Sequence, residues 1–192
     1  MRVWTAIFMG IAMFLTACEV PEEATSGAKP LPRLYSIPAD QKATIQYRML
    51  DSVNALRSAA SLDAVSLNSR LNAASATHSR DMSLQNRPWH FGSDGSSPLD
   101  RVDRVGYGGI FLGEAISETF ETELETLSAW MTREDTRNVI LDARADHIGF
   151  SWYQERSGKI WWTLITGMVR EIKPLTDAEL SALLEDEASD DS

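Results

Sequence analysis

The sequence predicts an α+β domain in which helices pack against a small antiparallel sheet. Apolar residues recur at helical spacing in several segments between residues 40 and 132. Two runs rich in aromatic and β-branched residues follow at 147–153 and 160–169. The turn-forming sequence Glu155-Arg156-Ser157-Gly158 separates these runs and predicts a β-hairpin. An order of helices, a polar loop, one more helix and a hairpin is typical of α+β proteins.

Two helices are predicted before the polar loop. The first is expected to begin at Asp40, which can act as its N-cap, and its apolar stripe consists of Ile45, Met49, Val53 and Leu56. Residues 61–66 interrupt the helical pattern. The second helix is expected to follow the N-cap residue Asn68 and to end at Asn86-Arg87-Pro88. Its stripe consists of Leu71, Ala74, His78 and Met82.

Two more helices are predicted after the loop that residues 89–96 form. Ser97 and Pro98 predict a short helix, because serine is a preferred N-cap and proline suits the first helical position. Gly106 is expected to end this helix in the left-handed conformation. The inward-facing residues of the helix are expected to be Leu99, Val102 and Val105. The next helix is expected over 118–132, with an apolar stripe of Phe120, Leu124, Leu127 and Met131. Its solvated face is expected to carry Glu118, Glu121, Glu123 and Glu125.

The predicted strands carry three tryptophans, and a further capping signal follows them. Trp152, Trp161 and Trp162 lie in the predicted strands, where a place in the sheet core is favoured over an exposed platform for sugars. Thr176-x-x-Glu179 has the pattern of a capping box before an apolar run, and it predicts a short terminal helix. The residues from 185 onward are acidic and are expected to form a disordered tail.

The composition limits the kinds of partner that the protein is expected to bind. The chain has 192 residues and a formal net charge of −10. A nucleic-acid partner is therefore not expected, because binding to phosphates requires a basic surface. The apolar fraction of 43% is sufficient for one packed domain with additional segments.

The N-terminal segment has the pattern of a lipoprotein signal peptide. Arg2 precedes an uncharged apolar run over residues 3–15, which is too short to span a membrane as a helix. The sequence Leu15-Thr16-Ala17-Cys18 resembles a bacterial lipobox and predicts cleavage before Cys18 and lipidation of its thiol. The alternative is an ordinary signal peptide with a chance cysteine. A doubly or triply acylated cysteine would anchor the protein to the cell envelope, facing the periplasm or the exterior.

These signals predict four segments. Residues 1–17 are the signal peptide, and residues 18–40 are the lipidated cysteine with a proline-rich tether. Residues 41–172 form the folded domain, and residues 173–192 form the short helix and acidic tail.

The stretch from Trp89 to Ser117 carries the strongest functional signal. It begins Trp89-His90-Phe91-Gly92 and closes on Gly113-Glu114-Ala115-Ile116-Ser117. Only a short helix separates His90 from Glu114, which predicts that two separate loops bring a histidine and a glutamate to one pocket. The two residues are candidates for metal ligation or for general acid–base catalysis, with a structural role in the loops as the alternative.

Residues 42–170 resemble the CAP superfamily of cysteine-rich secretory proteins, antigen 5 and pathogenesis-related proteins, in its bacterial cysteine-free form. The resemblance rests on an ordered set of short motifs with sensible spacing. These are Val53-Asn54-x-x-Arg57, Leu71-x-x-Ala74, Asp81-Met82, Trp89-His90-Phe91, Asp94-Gly95, Arg104-Val105-Gly106-Tyr107, Gly113-Glu114, Trp130-Met131, Arg137-Asn138-Val139-Ile140-Leu141, Ile148-Gly149-Phe150 and Trp162-Thr163.

The resemblance implies a three-layer α-β-α sandwich and a pocket with two histidines and two acidic residues. Some members of the superfamily bind a divalent metal there, often zinc, and others bind sterols or fatty acids. His90 matches the first pocket histidine and Glu114 the glutamate, although Ala115 replaces the asparagine that follows it in the family. Thr136 stands where the second histidine is expected.

The resemblance also places Glu134, and Asp135 in place of a family glycine, beside the pocket, where either could add a carboxylate. The implied ligand pocket therefore contains His90, Glu114, Glu134 and Thr136. Of the other histidines, His78 is expected to be a satisfied core residue and His147 a structural or surface residue.

The sequence favours a lipid-anchored envelope protein that binds a ligand or partner without catalysis, because Thr136 replaces a family histidine. Expected partners are the membrane, through Cys18, and a lipid, a small molecule or an envelope protein. Two alternatives stay open. One is a metal-assisted hydrolase that uses His90 and Glu114, with a divalent metal such as zinc and a carboxylate near Glu134. The other is a purely structural envelope protein.

Overall fold

The computed structural model describes residues 35–170, which form a mixed α and β domain. A 3₁₀ turn over Ala39–Gln41 leads into the first helix. The helices are α1 (Lys42–Ala59), α2 (Ser69–Gln85), α3 (Pro98–Arg104), α4 (Glu123–Thr132) and α5 (Glu134–Ile140). The strands are β1 (Ser66–Leu67), β2 (Ile110–Glu118), β3 (His147–Gln154) and β4 (Ile160–Met168). The predicted α+β class is confirmed.

The strands form one four-stranded sheet in the order β1-β3-β4-β2. The predicted hairpin of β3 and β4 is present, and β4 also pairs antiparallel with β2. The two-residue strand β1 pairs parallel with β3, so the sheet is mixed rather than wholly antiparallel. Neither β1 nor β2 was predicted, because β1 is very short and β2 contains glycine and glutamate, which are poor strand formers.

Helices cover both faces of the sheet and produce the three layers. Alternate residues of β4 point to opposite faces. Trp162 and Leu164 pack with residues of α1, α4 and α5 in the larger core. Ile165 packs with Leu71 and Ala74 of α2 in the smaller core. Of the three tryptophans predicted in the sheet core, Trp161 and Trp162 are fully buried. Trp152 is half-buried and packs against the larger core.

The backbone of α2 lies directly against β3. A Cβ atom added to Gly149 would lie only 2.2 Å from the carbonyl carbon of Leu71. The hydroxyl of Ser75 donates to the carbonyl oxygen of Gly149, and that of Ser79 donates to Ser151. This close packing fixes α2, and with it His78, relative to the sheet.

The motif Val53-Asn54-x-x-Arg57 organises the end of α1. Arg57 is fully buried and donates hydrogen bonds to the carbonyl oxygens of Asp63, Ile140, Asp142 and Ala145. Burial lowers the pKa of Arg57, because desolvation disfavours the charged form. The amide of Asn54 bonds both backbone groups of Val65. These two side chains hold the segments that lead into β1 and β3.

Several predicted helix boundaries are confirmed. The side chain of Asn68 accepts from the backbone N–H groups of Arg70 and Leu71, and Asn86 ends α2 in the left-handed conformation. Ser97 caps α3 in a capping box with Asp100. Gly106 adopts a φ of +68°.

The predicted cap at Asp40 and the predicted inward position of Leu99 are wrong. Asp40 lies in the 3₁₀ turn, and α1 follows Gln41 without a side-chain cap. Leu99 is 52% exposed, whereas Val102 is buried. The side chain of Arg101 takes the second buried position of α3 instead.

The start and buried face of α4 also differ from the prediction. A capping box between Thr122 and Glu125 starts the helix at Glu123, five residues after the predicted start. Phe120 therefore precedes the helix, and Leu124 is 44% exposed. The buried residues are Glu123, Thr126, Leu127 and Trp130. Glu123, predicted to be solvated, is buried and forms an ion pair with Arg48.

Some of the predicted segments lie outside the residues that the structure describes. The signal peptide, the lipobox with Cys18 and the terminal helix lie outside them. Tyr35 and Ile37, which the sequence places in the tether, hydrogen-bond to the side chain of Gln154 and pack against the larger core. Among residues 35–170, none of the helices combines the length and the apolar character that a bilayer crossing requires.

Candidate functional site

His90 and Glu114 meet beside the edge of the sheet. His90 lies in the loop after α2, and its Nδ1 is 2.9 Å from Oε1 of Glu114. Glu114 lies within β2, not in a loop as the sequence predicted. Its side chain is 1% exposed, whereas that of His90 is 51% exposed. The carboxylate is therefore an interior group, and the imidazole lies between it and the solvent.

Arg101 is a third member of the site that the sequence interpretation missed. Its Nη2 lies 3.1 Å from Oε1 and 2.8 Å from Oε2 of Glu114. Its Nη1 donates to the carbonyl oxygen of Ser96, and the arginine side chain is only 4% exposed. The apolar pattern of α3 indicated Leu99, Val102 and Val105 as the inward-facing residues and contained no signal for Arg101.

His78 completes the cluster from the α2 side. It is fully buried, and its Nε2 lies 3.6 Å from Oε1 of Glu114, beyond normal hydrogen-bond distance. Neither ring nitrogen has a hydrogen-bond partner among residues 35–170. The predicted core position of His78 is thus confirmed, but the ring is not satisfied. Desolvation lowers the pKa of His78, and the nearby Glu114 charge offsets this only in part.

The loop that carries His90 is tied to both neighbouring helices. Asp81 of α2 accepts hydrogen bonds from the backbone N–H and the hydroxyl of Ser93. Asp94 accepts from the backbone N–H of Ser96 and pairs with Arg104 of α3. These bonds lower the pKa of Asp94, first through the Ser96 contacts and then through Arg104. The motifs Asp81-Met82 and Asp94-Gly95 therefore position the loop.

A cavity of about 440 Å³ opens next to His90. It lies between β2 on one side and α4 and the start of α5 on the other. Its apolar walls include Ile116, Phe120 and Trp130. Its polar lining residues are His90, Ser117, Glu118, Thr132, Arg133, Asp135 and Thr136. Glu114 is not among the lining residues, because it lies behind His90.

Thr136 lines this cavity, but its hydroxyl is already engaged. It donates to the carbonyl oxygen of Trp130 at 2.6 Å. Asp135 is exposed and accepts from Nε and Nη2 of Arg133, which lowers the pKa of Asp135 to about 2. Glu134 is exposed at the start of α5 and does not line the cavity. The structure thus places His90 and Thr136 on one cavity and leaves Glu134 outside it.

The residues present do not fit a zinc ion. A zinc site needs three or four nitrogen, oxygen or sulfur donors. Within residues 35–170, no three His, Cys, Asp or Glu side chains come close enough together to hold a metal ion. Both oxygens of Glu114 also accept from the Arg101 guanidinium, whose positive charge would repel a cation at that carboxylate.

The geometry defines what His90 can offer to a ligand. A carboxylate bound by arginine only accepts hydrogen bonds, so Nδ1 of His90 donates to Glu114. In the neutral ring, Nε2 is then an acceptor. His90 can therefore accept a hydrogen bond from a hydroxyl or amide group placed in the cavity.

One curated bacterial protein is similar in sequence to part of the chain. The protein YkwD of Bacillus subtilis is 29% identical over 114 residues, which are 59% of this chain and 44% of the relative. The chain thus spans less than half the length of that relative.

Two solved structures resemble the domain. An extracellular protein with an SCP domain from Bacillus anthracis has a TM-score of 0.62 and 20% identity, over 69% of this chain and 44% of that protein. An outer surface protein of Borrelia burgdorferi has a TM-score of 0.57 and 15% identity, over 68% of this chain and 96% of that protein. Both similarities support the α-β-α fold.

A match to a family profile shows which protein family the chain belongs to. The profile of the cysteine-rich secretory protein family, CAP, matches residues 50–166. This span includes more than half of the chain and contains His78, His90, Arg101 and Glu114. The chain has a single cysteine, as expected of a cysteine-poor bacterial form. The protein therefore belongs to the cysteine-rich secretory protein family.

Proposed function

We propose that the protein is a lipid-anchored protein of the cell envelope whose CAP domain binds a ligand or partner in the cavity beside His90 without catalysing a reaction. The main support for this proposal is the set of hydrogen bonds that the Glu114 carboxylate accepts. Arg101 contacts both of its oxygens, and His90 contacts one of them. A carboxylate held in this way, behind the imidazole, orients His90 but does not face the cavity.

Catalysis would require further groups at the same place. A hydrolase needs an activated nucleophile or water, together with groups that stabilise the developing charge. The Thr136 hydroxyl is engaged with Trp130, and the residues present do not fit zinc. A concave site with apolar walls and a few polar groups instead suits a bound ligand.

The test of this proposal compares protein purified from its own host with two tryptophan variants. Thr136→Trp fills the cavity, whereas Ala43→Trp adds the same side chain at an exposed position of α1. Native mass spectrometry is expected to show a bound molecule on the wild-type protein and on Ala43→Trp, but not on Thr136→Trp. Hydrolysis of peptides or esters by the purified protein, lost in His90→Ala, would contradict the proposal.

The anchor is supported by the sequence Leu15-Thr16-Ala17-Cys18. The two structural relatives are an extracellular protein and an outer surface protein, which supports an envelope location. Growth of the host with an alkyne-bearing fatty acid is expected to label the wild-type protein and not Cys18→Ser. Equal labelling of both proteins, or of neither, would contradict lipidation at Cys18.

A further inference from the structure

The cavity exposes part of the backbone of β2, which is an edge strand of the sheet. The backbone N–H of Thr119 donates to the carbonyl oxygen of Ile160 in β4. Because hydrogen-bonded pairs alternate along an antiparallel ladder, the amide of Ser117 also faces β4. The amides of Ile116 and Glu118 therefore point away from the sheet. All three residues from Ile116 to Glu118 line the cavity.

The outward-facing amides of β2 are not satisfied within the described domain. The carbonyl oxygen of Ile116 accepts a hydrogen bond from Nε1 of Trp130 at 3.1 Å. Among residues 35–170, the N–H groups of Ile116 and Glu118 have no hydrogen-bond partner. Ile116 and Glu118 are half-buried residues. Unpaired N–H groups on an edge strand form a template for another extended chain.

On the opposite side of the sheet, the outward backbone groups of β3 do have hydrogen-bond partners. The N–H of Phe150 in β3 donates to Oδ1 of Asn72, and its carbonyl oxygen accepts from Nε2 of Gln46. The carbonyl oxygen of Ile148 accepts from the N–H of Asn68 beside β1. Side chains and a short strand thus satisfy the edge of β3, whereas the edge of β2 opens into the cavity.

Acidic residues continue the groove beyond the cavity. A second cavity of about 460 Å³ shares Phe120 and Ala129 with the first and is lined by Glu121 and Glu125. The carboxylates along this combined groove are those of Glu118, Glu121, Glu125 and Asp135. Arg133 pairs with Asp135 and Lys159 pairs with Glu118, so an excess of negative charge remains. This charge favours a basic occupant.

We infer that β2 binds an extended basic peptide segment of a partner protein as an added strand, in the mode of β-augmentation. The inference rests on the proposed function, because it names the class of ligand for the same cavity. The peptide backbone would bond the amides of Ile116 and Glu118. Alternate side chains would contact Phe120 and Trp130 on one side and the carboxylates of the rim on the other.

The test uses the full-length protein in neutral detergent micelles and fluorescence anisotropy. The probe is a short fluorescein-labelled peptide in which lysine and threonine alternate. Methylation of alternate backbone nitrogens of the probe, which keeps its charge, is expected to weaken binding at least about tenfold, because it removes backbone hydrogen bonds. A peptide in which glutamate and threonine alternate is expected not to bind.

Two variants of one position provide the matched protein test. Ile116→Pro removes the outward amide without removing a ladder hydrogen bond, as an edge strand tolerates. It is expected to weaken probe binding at least about tenfold relative to Ile116→Val, which keeps the amide. If Ile116→Pro does not fold, the methylated probe with the wild-type protein still decides the question.

The outcomes separate this inference from the proposed function. Equal binding of the methylated and unmethylated probes would overturn the added strand, and equal binding of the glutamate probe would overturn the preference for a basic peptide. A bound molecule that is lost in Thr136→Trp, with no binding of the lysine probe, would overturn the inference and leave the ligand-binding proposal intact. If no bound molecule is found and the lysine probe does not bind, both the inference and the ligand-binding proposal are overturned.

Discussion

Nη2 of Arg101 lies within hydrogen-bond distance of both carboxylate oxygens of Glu114, at 3.1 and 2.8 Å. Both side chains are almost fully buried, so neither charge is compensated by water. The pair links α3 to β2 and holds the carboxylate to which His90 bonds. Removal of one partner would leave the other charge buried and uncompensated.

Arg101→Met is expected to lower the free energy of unfolding by about 3–5 kcal/mol, because it leaves Glu114 buried without its cation. The double variant Arg101→Met with Glu114→Gln is expected to recover part of this loss, because the remaining group is neutral. Urea denaturation measures both. Arg104→Met is the control, since the pair of Arg104 with Asp94 is exposed and is expected to contribute much less to stability. Equal losses in the two single variants would contradict a special role for the buried pair.

The buried ring of His78 predicts a loss of stability in mild acid. Desolvation lowers the pKa of His78 in the folded protein below its ordinary value of 6.5. Between these two pKa values the unfolded chain binds a proton that the folded protein does not bind. The free energy of unfolding contributed by His78 is therefore present above pH 6.5 and is lost as the pH falls toward the folded pKa.

The comparison of wild-type protein with His78→Leu measures this contribution. Urea denaturation between about pH 7.5 and about pH 5 is expected to show a smaller pH dependence in the variant. An unchanged dependence would assign the effect to another titratable group.

Arg57 is expected to resist conservative replacement. Its planar group donates to four carbonyl oxygens in different directions, which the single ammonium of lysine cannot match. Arg57→Lys is expected to lower the free energy of unfolding by about 2–4 kcal/mol, because buried carbonyl groups lose their donors. Arg80→Lys on the exposed face of α2 is the control and is expected to change it by less than about 0.5 kcal/mol.

Gly149 is expected to be essential for the contact between α2 and β3. A Cβ atom there would lie 2.2–2.4 Å from backbone and side-chain atoms of Leu71, and the helix backbone cannot yield without moving the layer. Gly149→Ala is expected to destabilise the protein by about 3 kcal/mol or more. Gly108→Ala is the matched control, because no atom lies within 4 Å of its Cβ position. A thermal unfolding midpoint of Gly149→Ala close to that of Gly108→Ala would contradict this packing.

The sequence predicted the features that depend on a few neighbouring residues. The cap at Asn68, the capping box of Ser97 and the left-handed turn at Gly106 were all readable, because each involves hydrogen bonds or backbone angles within about one turn. The ordered motifs also identified the family and placed His90 and Glu114 in one site. The start of α4 was missed although its capping box is local, because an apolar pattern continued across Phe120.

The partners of Glu114 depended on the tertiary structure. The apolar pattern of α3 did not include Arg101, and His78 was predicted to be a satisfied core histidine of α2. Both meet Glu114 only because α2 and α3 pack against the sheet beside β2. The prediction for Glu123 was wrong for the same reason. It was expected to be a surface charge, but it is buried and pairs with Arg48 of α1.

The sequence by itself therefore determined the fold class, the family and two of the residues that form the site. The tertiary structure decided that Glu114 lies in a strand, that Arg101 holds it, and that the edge of β2 faces a cavity. The physical reason is distance along the chain. Periodicity and capping report on local backbone hydrogen bonds, whereas ion pairs, desolvation and sheet edges arise between segments that meet only on folding.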